Sequence, residues 1–160
     1  MQKGVTLIEV LITGLILAFV LTGVSTYLIL SARYSNEAVV ATRAQSQLSL
    51  AYLSIFNHVT EGKEIAISDG ILSITKTDDS IVLFRFNDEN DRLERKEDNA
   101  AYTNVLIGDT NGVLTTISGV FNVGSGSEKT ILIPSLAVTV QCKGFTKSTA
   151  MLNVSAACRN

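Results

Sequence analysis

From Val10 to Leu30 the chain runs through twenty-one residues without an Asp, Glu, Lys, Arg or His. A helix of that length rises about 31 Å, close to the hydrocarbon thickness of a bilayer. The run therefore predicts a membrane-spanning helix. It is too long for the apolar core of a conventional secretory signal, roughly 7 to 15 residues. Beyond it the pattern turns amphipathic: Tyr34, Ala38, Ala41, Ala44, Leu48, Ala51 and Ile55 recur at spacings of four and three, which places them on one helical face. With Gly62 as the stop, one helix is expected from Thr6 to Glu61.

From Glu64 onward the period changes to short runs rich in Ile, Val, Thr and Phe, divided by polar turns every eight to twelve residues, the pattern of antiparallel sheet. The expected strands are Glu64–Ser68, Ile71–Lys76, Ser80–Phe86, Arg92–Lys96, Tyr102–Ile107, Val113–Val123, Lys129–Ile133, Ala137–Cys142 and Ala150–Ala157. Asp69-Gly70 is a two-residue hairpin signal, because glycine accepts the positive φ of a type I′ turn. Asp78-Asp79 and 87–91 are further turns, and 108–112 and 124–127 read as loops. The fold class expected is α+β: a long N-terminal helix, its second half packed on an antiparallel β-sheet head.

Composition narrows the function. The chain has 160 residues, enough for one head and an anchor, with 13 Lys and Arg against 15 Asp and Glu for a net charge of −2. That balance provides no general basic field for nucleic acid. Lys143, Lys147 and Arg159 are the nearest thing to a basic cluster and read as a solvated edge. The lone histidine, His58, falls at the helix end, where an imidazole can bond carbonyls. No nucleophile elbow, zinc-binding pair or phosphate loop appears, so no enzyme activity, cofactor or metal is expected. Asp88, Glu89 and Asp91 lack the spacing and central glycine of a calcium loop and read as a hairpin turn.

The N-terminus is the most specific feature. Lys3-Gly4-Val5-Thr6-Leu7-Ile8-Glu9-Val10, followed by the apolar helix, resembles the processing site of type IV prepilins and pseudopilins. The resemblance implies a leader at 1–4, a transmembrane and filament-core helix at 5–30, its amphipathic continuation at 31–62 and an extracytoplasmic sheet head at 63–160. It implies cleavage by a prepilin peptidase between Gly4 and Val5, N-methylation of Val5, and partners comprising other pilins or pseudopilins and an inner-membrane assembly platform. Glu9 would become the fifth mature residue and neutralise the new amine of a neighbouring subunit. A carboxylate in hydrocarbon costs about 2.5 to 3.5 kcal/mol, so such a pairing would favour one axial register.

Two departures stand out. Val5 replaces the usual phenylalanine, and Thr26 stands near the place where major pilins often carry proline, which favours a minor pilin or pseudopilin over a major pilin. A DNA-binding or adhesive minor pilin is the other alternative. The expected location is the inner membrane with a periplasmic head, then a filament. An oxidising periplasm would permit a bond between Cys142 and Cys158, closing a loop worth about 3 kcal/mol, and many pilins carry a C-terminal disulfide loop. Two reduced thiols are the alternative.

Overall fold

The computed structural model describes residues 6–106, 113–123, 129–142 and 144–158. The chain divides into two compact units, Met1–Ala38 and Val39–Asn160. Helix α1, Leu7–Glu61, is continuous through both. In the first unit every described residue up to Asn36 is exposed. In the second, α1 buries Val40, Ala44, Gln47, Leu48, Ala51, Ile55 and Val59. The expected stripe was thus right at Ala44, Leu48, Ala51 and Ile55. Tyr34 and Ala38 are exposed instead, and the covered face begins at Val40. A face three to four residues per turn wide admits several phases, and small alanines at 38 and 41 gave little information about which was covered.

Helix passes to sheet without a loop. Strand β1, Gly62–Ser68, begins directly after Glu61. A Cβ on Gly62 would lie 2.6 Å from Ile74 Cγ2 and 3.2 Å from the Val59 carbonyl oxygen, so close approach requires the glycine. The first sheet continues through β2 (Ile71–Lys76), β3 (Ile81–Asn87), β4 (Arg92–Glu97) and the short β5 (Thr103–Asn104), each antiparallel to the one before. Asp69 and Gly70 have φ of 52° and 76°, the two positive values that a type I′ hairpin needs. Asp79 and Asp91 also adopt positive φ in the next turns. Alternation then turns Leu72, Ile74, Val82, Phe84 and Leu93 inward, where they are buried.

The second sheet is built on one long strand. Strand β8, Thr130–Cys142, pairs with β9, Phe145–Ala157, on one side. On its other side it receives β6 (Val113–Gly119) and the short β7 (Asn122–Val123). Ile117 donates its N–H to the Asp91 carbonyl at 2.7 Å, tying β6 to the turn of the first sheet. The α1 residues from Val40 to Val59, inner residues of both sheets, and Leu106 and Phe121 form one apolar core. The class is α+β, with the second half of α1 packed on antiparallel sheet.

Four strand expectations change. The pieces 129–133 and 137–142 are one strand that passes through Pro134. The register steps from Ile133–Val154 to Ser135–Leu152, with Asn153 at φ 53°. On the opposite side β8 leaves β7 at Leu132 and meets β6 at Leu136, so the proline occupies the gap between two partners. Expected strand 113–123 is correspondingly split, and β9 starts five residues before Ala150. Among the described residues of the run expected at 102–107, Thr103–Asn104 form strand; residue 107 lies outside them.

The cysteine pair also requires correction. Cys142 faces Phe145 at one end of the β8–β9 hairpin, whereas Cys158 donates its N–H to the Lys129 carbonyl at the other. Twelve strand steps of about 3.3 Å separate those ends by about 40 Å, against a Cα separation near 7 Å at most for a disulfide. Both are free thiols. Sixteen residues of sequence separation suggested a closable loop; a fully extended hairpin arm makes it unclosable.

Candidate functional site

In the first unit the candidate surface is the outside of α1. Sixteen large apolar side chains from Leu7 to Leu30 are between 47% and 81% exposed. Transferring each from water to an apolar medium is worth roughly 1.5 to 3 kcal/mol, so the segment carries tens of kcal/mol of preference for a nonaqueous surrounding. It is long and apolar enough to cross a membrane.

Glu9 stands at the start of this surface, in the first turn of the helix. Its N–H donates to the Thr6 carbonyl at 3.0 Å, and its carbonyl accepts the Thr13 hydroxyl at 2.7 Å. The side chain borders a shallow hollow floored by Gly14 and flanked by Val10, Thr13 and Leu17. An added Cβ at Gly14 would meet nothing within 4 Å, which leaves room for close approach of another backbone. Gly4 and Val5 lie outside the described residues, so cleavage and N-methylation have no geometry to report.

The threonine hydroxyls along the apolar stretch are locally satisfied. Thr22 donates to the Ala18 carbonyl at 2.8 Å, and Thr26 to that of Thr22 at 2.9 Å. These bonds to the preceding turn explain how threonine is accommodated in an otherwise apolar helix. Thr26, at the expected place of the proline, continues α1 without interruption.

In the second unit His58 bonds the Ser54 carbonyl through Nδ1 at 2.7 Å, places Nε2 3.7 Å from Glu97 and meets Phe84 edge-on. Lys76 lies 3.5 Å from the same Glu97. On the first sheet, Arg85 pairs with Glu94 at 2.7 Å and lies 3.9 Å from the centre of the Tyr102 ring. The turn bearing Asp88, Glu89 and Asp91 is closed by Asn87, whose Oδ1 accepts the Glu89 N–H at 3.0 Å. Among the described residues no three His, Cys, Asp or Glu side chains converge as metal ligands. Lys143 and Arg159 lie outside the described residues, as do the loops at 108–112 and 124–127.

Asp78 accepts both the hydroxyl of Ser80, at 2.6 Å, and its N–H, at 3.1 Å. The hydroxyl bond first and the backbone bond second hold the carboxyl below its ordinary range. Burial pushes the Cys158 thiol up, partly opposed by the Lys129 ammonium.

Two structural residues escaped the sequence pattern. Gln47 is 5% exposed on the core face of α1, and its Oε1 has no hydrogen-bond partner among the described residues. Gly119 lies against the Phe86 ring, which stacks on Phe121 with centroids 4.7 Å apart. The spacing of Gln47 from Ala44 and Ala51 was the available signal for the first; nothing in the sequence marked the second. Comparison with known proteins finds no matching family, curated protein or solved structure.

Proposed function

We propose that this chain is a non-enzymatic pilin-like subunit, a minor pilin or pseudopilin of a type IV pilus or type II secretion filament. The observation that carries the reading is one uninterrupted helix with two surfaces. Its first part is apolar on all sides and carries Glu9 beside the Lys3-Gly4-Val5 motif, while Val40 to Val59 anchor a β head. In this reading α1 stores the protein in the inner membrane, and a prepilin peptidase cuts after Gly4. The amine of Val5 on one subunit then meets the Glu9 carboxylate of another as the helices bundle.

Glu9 suits that role because an unpaired carboxylate in hydrocarbon is costly and a charged partner offsets the cost only at one height. Mass analysis of the N-terminus after coexpression with a prepilin peptidase tests the reading. A mature chain beginning at Val5 is expected; an uncut chain, or a start elsewhere, overturns it. Glu9→Ala should be cut normally yet enter filaments at least tenfold less, and normal incorporation would remove Glu9 from the assembly step.

A further inference from the structure

In the second unit the face of α1 turned away from the core carries apolar side chains and cations without partners. Leu50 and Leu53 are 43% and 48% exposed. With Asn57 they form one wall of a groove of about 450 Å3, whose other wall is Arg95, Thr103 and Asn104. Arg95 is half-buried there, and its guanidinium has no ion-pair partner among the described residues. Arg43 is exposed and likewise has no such partner. It stands two turns before Leu50, on the same helical face. The surface is thus apolar and cationic at once.

Its complement is on the same chain. The turn between β3 and β4 carries Asp88, Glu89 and Asp91, all exposed, and none of the three has an ion-pair partner among the described residues. Val120, 59% exposed, borders a hollow with Asp88, so the carboxylates have an apolar neighbour. This turn does not reach its own groove, because about 13 Å of chain running into β4 separates Asp91 from Arg95. We propose that the groove receives the 88–91 turn of a second copy of the chain, with Glu89 facing Arg95 and Val120 meeting Leu50 and Leu53.

Groove and turn are different surfaces, so the contact is heterologous, and each copy can receive one turn and offer one. A screw axis along α1 generates such a contact and keeps the helices of neighbouring copies parallel, as subunits drawn side by side from one membrane require. The inference rests on the filament reading and adds to it a contact between heads. Opposite charges arranged in this way fix register and reject wrong partners more than they raise affinity. The two wrong encounters, groove on groove and turn on turn, each set like charges together.

The test uses two tagged forms of the full-length chain, both with Cys142→Ser and Cys158→Ser, expressed together with a prepilin peptidase. One carries Asn57→Cys in the groove and the other Asn90→Cys on the turn, and a short bis-maleimide is added to the membranes. Mixed pairs should exceed either homopair by about tenfold or more. Arg95→Glu in the groove form, or Glu89→Arg in the turn form, should cut the mixed yield about tenfold. The two together should restore most of it, which a folding defect would not. Equal yields of all three pairs, the pattern of association through α1 alone, overturn the proposal. So do absence of the mixed link, exchanged charges that fail to restore it, and linking of Asn57→Cys only to a different polypeptide. N-terminal mass analysis of the same membranes keeps the two ideas apart. A chain starting at Val5 without the mixed link sinks this contact and leaves the filament reading standing, whereas an uncut chain with the link does the reverse.

Discussion

Replacing Cys142 and Cys158 by serine, singly and together, should change unfolding free energy by no more than about 1 kcal/mol per site. Each lies at an end of the β8–β9 hairpin, and the two are separated by twelve strand steps, or about 40 Å. Were they bonded, the loop they close would contribute about 3 kcal/mol. For a head of this size that corresponds to a thermal midpoint shift of roughly 10 °C, easily separated from the small change expected of two half-buried thiols. Intact mass analysis of protein exposed to air and then alkylated without reductant should show two adducts. Cys158 should react more slowly than an ordinary thiol near pH 8, because burial raises its pKa and lowers its thiolate fraction. A chain lacking two hydrogens, with neither cysteine alkylated, would refute the register of the second sheet, since no movement short of dismantling the hairpin joins its ends.

Gly119→Ala should destabilise the head by about 1 to 3 kcal/mol, because its methyl would fall 2.6 Å from Phe86 Cζ while that ring is stacked on buried Phe121; Phe86→Leu should recover part of the loss in a thermal melt. Gln47→Met keeps the volume and removes an unsatisfied buried oxygen, so it should raise stability by about 1 kcal/mol, and a comparable loss would show that the carboxamide is bonded. The depressed Asp78 carboxyl contributes stability that is present above its unfolded pKa, near 3.9, and lost as pH falls through the lower folded value. Urea titrations between about pH 5 and 2.5 should therefore show a flatter acid limb for Asp78→Asn.

What was legible in the sequence follows from how locally each feature is determined. The apolar block and its single helix needed only composition and period. The first sheet was legible almost strand for strand, because Asp69-Gly70, Asp79 and Asp91 occupy left-handed turn positions that their residue types announce. The second sheet was less so. Pro134 looks like a strand end to any local rule, and its tolerance depends on a gap between β6 and β7 that only tertiary structure creates. The same dependence hid the first third of β9, whose Thr, Lys and Ser residues carry little apolar signal. Glu9 was legible as a chemical anomaly in an apolar run, whereas Gln47, although its spacing marked it, was passed over because the expected face was assembled from apolar positions alone.

The order of strands also sets an order of events during synthesis. Strands β1 to β5 form a meander in which each pairs with its predecessor, so the first sheet can close as Gly62 to Asn104 emerge. Strands β6 and β7 have their partner in β8, still unmade when they appear. Contacts of greater sequence separation form more slowly, and an unpaired strand is vulnerable meanwhile to wrong partners. A chain arrested before Thr130 should consequently hold a finished first sheet and a sticky, unpaired Val113–Gly119. Whatever holds the emerging chain would have to guard that interval, however stable the completed protein is.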